Sequence, residues 1–244
     1  MRIVIENLYK KFGDLVIFNG LNLTIEPGEL CIIMGRSGTG KSVLLKHLTG
    51  LIQPDSGRIL IDGVNIVGLK ERELSPFRKR FGMIFQNGGM LQSLNVAQNV
   101  ALPLTEAKDC DLCATMAKVS EKLALVGMAG RETQSVSTIS GGQQKRVAIA
   151  RALTQDAACL LFDEPTAGLD PPISQTVDDV IQQVNRDMGS TTIVVTHDLV
   201  SAFGIGQRLH LLHEGRILLS GTPAEFRASK DPVVQGFLAR GTHV

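Results

Sequence analysis

A glycine-rich segment reads Gly35-Arg36-Ser37-Gly38-Thr39-Gly40-Lys41-Ser42 and follows the continuously apolar run Leu30-Cys31-Ile32-Ile33-Met34. It fits the pattern G-x-x-x-x-G-K-[ST], and the residues after it are typical of a helix start. The glycines let successive backbone N–H groups surround a phosphate, and the positive end of the helix adds to the attraction. Lys41 is expected to reach the β- and γ-phosphates and Ser42 to bind Mg²⁺. The pattern predicts a nucleoside triphosphate site; the alternative is a simple glycine-rich turn.

Two acidic residues follow a second apolar run. The run Cys159-Leu160-Leu161-Phe162 predicts a strand, and Asp163 and Glu164 come directly after it. Because parallel strands end at a common edge of their sheet, we expect Asp163 beside the phosphate-binding segment, where it can hold Mg²⁺ through water. Glu164 is then free to polarise the water that attacks the γ-phosphate. Without the phosphate-binding segment, such an acidic pair would more often be a solvated turn.

The order of strand-like and helix-like segments predicts an α/β fold. Alternating apolar residues at Ile3 and Ile5 and again over 21–25 predict an antiparallel β layer. Continuous apolar runs predict a mostly parallel core sheet covered on both faces; they lie at 30–34, 83–85, 159–162 and 192–195. Two further runs, 209–212 and 216–219, flank Glu214-Gly215 and predict a hairpin.

A helical segment interrupts this core. Strand signals stop between Gln86 and Ser140, and apolar residues at helical spacing predict a helix from Cys113 to Val126. We predict one functional unit with a core of residues 1–86 and 150–222, an inserted helical subdomain of residues 87–149, and a helical tail of residues 223–244.

The run Ser140-Gly141-Gly142-Gln143-Gln144-Lys145-Arg146 resembles the signature motif of ABC ATPases. One departure precedes it, because Ile139 stands where the family usually carries leucine, an apolar exchange of small consequence. Other positions resemble further elements of the family: Phe12 the aromatic residue that stacks on adenine, Gln86 the Q-loop glutamine, Asp170 in Ala167-Gly168-Leu169-Asp170 the D-loop, and His197 the switch histidine. The resemblance extends over nearly the whole chain.

The resemblance implies an ATPase with a P-loop core that binds ATP and Mg²⁺ between two copies packed head to tail. Lys41, Gln86, Glu164 and His197 are then the expected catalytic residues, and Ser42, Gln86 and Asp163 the expected metal ligands. The expected nucleotide-binding residues are Phe12, Gly35, Arg36, Ser37, Gly38, Thr39, Gly40, Lys41, Ser42, Ser140, Gly141, Gly142, Gln143 and Asp170. The signature, which opens a predicted helix and so can bind an anion, would meet the γ-phosphate of the other copy.

Several short stretches resemble one branch of this family, the ATPases of MCE-type lipid transporters such as the Mla phospholipid system. They lie around and after the glutamine, at 85–96 and 99–104, after the switch histidine, at 198–203, and in the tail, at 231–241. This resemblance implies an MlaE-like integral-membrane permease docking near residues 86–94 and an MCE-domain lipid-binding protein in the same complex, and it leaves room for a small regulatory subunit. Other expectations stay open: a transporter for amino acids, metals or drugs, or a soluble ABC ATPase acting on DNA or ribosomes.

The composition argues against nucleic acid as a partner and against a membrane-spanning segment. The 25 Lys and Arg nearly balance the 24 Asp and Glu, so the basic footprint of a nucleic-acid binder is missing. No apolar run approaches the roughly 18 residues of a membrane span, and the first residues do not resemble a signal peptide, so we expect a peripheral protein on the cytoplasmic face of the inner membrane. Cys110 and Cys113 form a lone C-x-x-C; we expect reduced thiols rather than a zinc site.

Overall fold

The computed structural model describes residues 1–105 and 111–241, which form two β-sheets with helices packed against them. The strands are β1 (Ile3–Phe12), β2 (Leu15–Ile25), β3 (Leu30–Met34), β4 (Ser56–Ile61), β5 (Val64–Asn65), β6 (Phe81–Ile84), β7 (Cys159–Asp163), β8 (Thr191–Thr196), β9 (Arg208–His213) and β10 (Arg216–Gly221). The helices are α1 (Lys41–Leu48), α2 (Glu71–Arg78), α3 (Val96–Thr105), α4 (Leu112–Leu125), α5 (Gly141–Leu153), α6 (Pro171–Met188), α7 (Leu199–Ile205), α8 (Pro223–Ala228) and α9 (Pro232–Gly241).

The larger sheet has the strand order β10-β9-β3-β8-β7-β6, and every pair in it is parallel except β10 with β9. Alternate residues of β3 enter different cores. Ile32 packs in the cluster that α5, α6 and α7 complete, whereas Cys31 and Ile33 pack in the cluster shared with α1 and the smaller sheet. Because both faces are covered, the strand is apolar without alternation, which confirms the predicted core sheet.

The smaller sheet has the order β2-β1-β4-β5 and is antiparallel throughout. It confirms the predicted antiparallel layer. The predicted hairpin is also confirmed: Glu214 and Gly215 both have positive φ, 46° and 75°, and join β9 to β10. One strand differs from its prediction: the apolar run 83–85 was expected to be part of a strand, but β6 ends at Ile84 and Phe85 is exposed.

The parallel strands that carry the predicted chemistry end at one edge of the larger sheet. Met34 pairs with Thr196, and Asp163 pairs with Val195. Ile84 lies opposite Phe162 on the neighbouring strand. The segments that follow β3, β6, β7 and β8 therefore converge there.

The segment between β6 and β7 is helical, as predicted. Helix α4 begins at Leu112, where the Asp111 side chain accepts a hydrogen bond from the backbone N–H of Cys113, and it ends at Leu125. Helix α5 runs across the boundary predicted between residues 149 and 150, so that boundary falls inside one continuous element. The division into core, subdomain and tail stays a prediction.

The cysteine expectation is tested only in part. Cys31 and Cys159 lie buried in β3 and β7, and burial raises the pKa of both thiols, so they stay protonated. Cys113 is exposed with a free thiol, whereas Cys110 lies outside the described residues. Within the described ranges no helix combines the length and apolar character needed to cross a membrane.

A buried histidine makes the stability of this sheet sensitive to acid. His210 on β9 is 1% exposed, its Nδ1 lies 2.7 Å from Ser220 Oγ, and its Nε2 has no hydrogen-bond partner. Burial, with a smaller contribution from Arg208, lowers the pKa of His210 to about 4 from 6.5. As the pH falls, the unfolded chain therefore takes up this proton before the folded chain does.

We expect the wild-type chain to lose about 2 kcal/mol of unfolding free energy through His210 between pH 7.5 and pH 5. The loss develops below the unfolded pKa of about 6.5 and stops near the folded pKa of about 4. His210→Gln should flatten this slope in urea unfolding measured across the same range. His213→Gln, on the half-buried neighbour at the end of the same strand, should keep the wild-type slope. Equal slopes for wild type and His210→Gln would refute the assignment.

Candidate active site

The glycine-rich segment connects the end of β3 to the start of α1 as a tight turn. Gly40 has a φ of 98°, and a Cβ on it would lie 2.6 Å from Cγ2 of Ile17. A Cβ on Gly35 would lie 2.8 Å from the carbonyl oxygen of Leu212. Glycine is therefore required at both positions. No side chain caps α1, so its first backbone N–H groups remain able to bind an anion.

Lys41 lies folded into this turn. Its side chain is nearly buried, and Nζ donates to the carbonyl oxygens of Gly35 at 2.9 Å and Arg36 at 3.2 Å. The same ammonium lies 3.3 Å from Oε1 of Glu164. A buried cation is thus held at the centre of the loop by groups that an anionic ligand can replace.

Ser42 and Asp163 bring two oxygen ligands together. Ser42 Oγ donates a hydrogen bond of 2.7 Å to Oδ1 of Asp163, and the Asp163 side chain is largely buried. Hydroxyl and carboxylate oxygens suit Mg²⁺, which binds few protein groups and keeps its other positions for water and phosphate. No cluster of three or more His, Cys, Asp or Glu side chains with metal-binding geometry occurs among the described residues. The pair fits Mg²⁺ bound together with a nucleotide.

Glu164 is fixed in an unusual conformation directly after β7. Its φ is 49°, and its backbone N–H donates to the carbonyl oxygen of Val195 at 2.9 Å. Oε2 accepts hydrogen bonds from Thr196 Oγ1 at 3.2 Å and from the backbone N–H of His197 at 3.3 Å, and it lies 2.9 Å from His197 Nδ1. Because positive φ is costly for a side chain of this size, the conformation points to a functional constraint.

These groups surround a cavity of about 340 Å³. The cavity is lined by Ile17, Ser37, Gly38, Gly40, Lys41, Ser42, Val43, Gln86, Glu164 and His197. All but two of these residues were predicted from sequence. Ile17 and Val43 were missed; Ile17 belongs to an apolar run shortly after Phe12, and that run is the one signal that could have indicated it.

Of the residues predicted to bind nucleotide, Phe12, Gly35, Arg36 and Thr39 do not line this cavity. Phe12 is 46% exposed and does not line the cavity; Lys10 Nζ lies 5.2 Å from its ring centroid. Arg36 lines a neighbouring cavity of about 460 Å³ that shares Ser37 and His197 with the first and is closed by residues of α9. The adenine contact of Phe12 therefore stays a prediction.

The signature residues and Asp170 also lie outside the lining of this cavity. Ser140 caps α5: its Oγ accepts a hydrogen bond from the backbone N–H of Gln143. In return, Oε1 of Gln143 accepts one from the backbone N–H of Ser140. Gly142 packs against Ile173 in the first turn of α6, the helix that Asp170 precedes, and a Cβ on Gly142 would lie 2.3 Å from Ile173 Cγ2. Glycine is needed there so that the start of α5 and the start of α6 can touch.

The amino-acid sequence is similar to those of known ATP-binding proteins of transporters. Residues 18–167 match the family model described as ABC transporter. The chain is 38% identical to a methionine import ATP-binding protein of Rhizobium johnstonii, over 97% of this chain and 65% of the relative. It is also 38% identical to a probable ribonucleotide transport ATP-binding protein of Mycobacterium tuberculosis, over 97% of this chain and 66% of the relative. The chain thus spans just under two thirds of the length of these relatives.

Solved structures of ATP-binding cassettes have the same fold as this chain. A dimeric ATP-binding cassette in a post-hydrolysis state, bound to ADP and Pi, superposes with a TM-score of 0.81 at 31% identity, covering 91% of this chain and 98% of the other. A subunit of an ABC transporter complex from Clostridium perfringens gives a TM-score of 0.86 at 29% identity, covering 97% and 94%.

Proposed function

Since this chain belongs to the ABC transporter family, we propose that it is the ATP-binding and ATP-hydrolysing subunit of a membrane transporter. One observation carries the proposal: a phosphate-binding loop, an oxygen pair suited to Mg²⁺ and a constrained glutamate meet around one cavity. Such a set positions a triphosphate and a water molecule, which is most of what phosphoryl transfer requires of a protein.

The residues divide this work. Lys41 exchanges its loop carbonyls for the β- and γ-phosphates, because phosphate oxygens satisfy a buried ammonium better than carbonyls do. Glu164 orients the attacking water and accepts its proton, and His197 holds the carboxylate in place. Mg²⁺ would be held by Ser42 and Asp163, with Gln86, and supplies charge neutralisation to the phosphates.

A second copy completes the site in this proposal. Ser140 and Gly141 are exposed at the start of α5, where backbone N–H groups can bind a phosphate. Since they do not line their own chain's cavity, they and Asp170 act on the nucleotide of the other copy. The dimeric state of a solved cassette that superposes well supports this arrangement.

The transported substrate is the finer part of the proposal. The stretches 85–96, 99–104, 198–203 and 231–241 favour an MCE or Mla-type phospholipid transporter, with an MlaE-like permease, an MCE-domain protein and attachment at the cytoplasmic face of the inner membrane. The exposed side chains of Phe85 and Leu91 offer an apolar surface to the permease. The alternative is import of a small solute, which the name of the methionine import relative favours.

Copurification tests these alternatives. The chain is expressed in its native host, extracted from membranes in mild detergent, and the bound proteins and lipids are identified by mass spectrometry. We expect a multi-span permease, an MCE-domain protein and enriched phospholipid. A different permease would overturn the lipid assignment but keep the transporter assignment, and no membrane partner would overturn both.

A further inference from the structure

The backbone that follows β6 is bound by two cationic side chains of α5, the helix that begins within the signature motif and is hereafter called the signature helix. Lys145 on α5 donates through Nζ to the carbonyl oxygen of Gln86. Arg151, farther along the same helix, donates from Nη2 to the carbonyl oxygen of Gly88 at 2.7 Å and from Nη1 to that of Gly89 at 2.6 Å. We call these two side chains and the three carbonyls they bind the carbonyl clamp.

The cations of the clamp are costly to bury, which argues for a specific role. Lys145 is 6% exposed, and its Nζ donates to a backbone carbonyl oxygen rather than to a carboxylate. Burial lowers the pKa of Lys145, and attraction to Asp163 and Glu164 opposes that effect. Burial also lowers the pKa of the Arg151 guanidinium. Each cation depends on loop carbonyls for hydrogen bonds that water would otherwise supply.

The loop is built to receive these donors. Gly88 and Gly89 have φ values of 68° and 58°, a conformation in which side chains are strained. A Cβ on Gly89 would lie 3.2 Å from Arg151 Nη2, tighter than an ordinary contact. Two consecutive glycines thus turn the chain so that neighbouring carbonyls face one guanidinium, whose paired donors match them.

Gln86 therefore lies between the nucleotide cavity and α5. The residue lines the nucleotide cavity, while its carbonyl oxygen accepts a hydrogen bond from the helix that Ser140 caps. We propose that Lys145 and Arg151 are positioning residues, which hold the Gln86 side chain ready for the Mg²⁺ that accompanies ATP and link the nucleotide cavity to the signature helix. This inference rests on the proposed function, because it assumes that Mg²⁺ and ATP bind in this cavity.

The test measures binding of a fluorescent ATP analogue to the full chain, in EDTA and across a Mg²⁺ titration. Lys145→Met should leave affinity in EDTA within about twofold of wild type and raise the Mg²⁺ concentration needed for half-maximal effect about tenfold, the size typical for a residue that orients a metal ligand. Lys145→Arg, which keeps a cationic donor, should recover most of the shift. Arg151→Lys, which loses the paired donors, should shift in the same direction.

Two comparisons separate positioning from general damage. Arg146 lies on the same helix and donates to the carbonyls of Val126 and Gly127 instead, so Arg146→Met is the matched control and should not change the Mg²⁺ requirement. In a Gln86→Ala background Lys145→Met should have no further effect, because both act on one group. An unchanged Mg²⁺ requirement in Lys145→Met and Arg151→Lys, or an equal shift in Arg146→Met, would overturn the inference alone. Failure of the wild-type chain to bind the analogue would overturn the proposed function and the inference with it.

Discussion

Glu164→Gln is expected to bind ATP as the wild-type chain does and to hydrolyse it about 10²- to 10⁴-fold more slowly, the usual contribution of a general base. The amide has nearly the shape of the carboxylate, so its contacts with Thr196 and the backbone of His197 can persist. It cannot accept a proton from water. The measurement is phosphate release by the complex extracted from membranes, together with ATP affinity from equilibrium binding.

The control for this variant is Glu132→Gln. Glu132 bonds to Ser120 in the helical segment and does not line the nucleotide cavity, so the exchange should leave turnover unchanged. Glu132→Gln should melt close to wild type, whereas Glu164→Gln removes the charge partner of the nearly buried Lys41 and should melt at a lower temperature without nucleotide. Hydrolysis by Glu164→Gln within a fewfold of wild type would show that another group activates the water.

The sequence predicted those parts of the site that depend on local patterns. The glycine-rich loop and the pair Asp163 and Glu164 each follow an apolar run, and parallel pairing brings the ends of β3 and β7 to the same edge of the sheet. The continuous apolarity of β3 has a direct cause, because its alternate residues enter two different cores. Such features can be predicted from the sequence because the pattern that indicates each of them lies within one continuous segment.

The contacts that were missed join segments far apart in the chain, or join a side chain to a carbonyl. The pairing of Lys41 with Glu164 depends on how the segments after β3 and β7 lie in the larger sheet, and the contribution of Ile17 to the cavity depends on how β2 of the smaller sheet meets that edge. The carbonyl clamp could not be predicted from the sequence either. Every residue has a backbone carbonyl, so the residue type does not indicate which carbonyl oxygen Lys145 binds. The strand predicted over 83–85 ended one residue too late, since an apolar Phe85 can also be exposed, and it began two residues too late, since β6 already begins at Phe81.

Lys41→Ala is expected to weaken ATP binding by about 30- to 4,000-fold, since truncating one member of a buried charge pair costs about 2 to 5 kcal/mol. In the wild-type chain Nζ contacts both the carbonyl oxygens of the loop and the carboxylate of Glu164, so the cation is already at the phosphate-binding loop before nucleotide binds. Alanine removes the cation and also leaves the nearly buried Glu164 without its partner. Equilibrium binding of ATP, with a melting curve recorded without nucleotide, measures both effects.

Helix α1 offers a matched control, because Lys46 lies on it but is exposed to solvent. Lys46→Ala should change neither affinity nor melting temperature by much, since exposed charges contribute little. Lys41→Met keeps much of the aliphatic side chain, so it should recover part of the lost stability but none of the lost affinity. This split would assign the affinity to the ammonium rather than to packing in the loop. Intact ATP affinity in a folded Lys41→Ala chain would refute the phosphate-binding assignment of the loop and, with it, the mechanism built on Glu164.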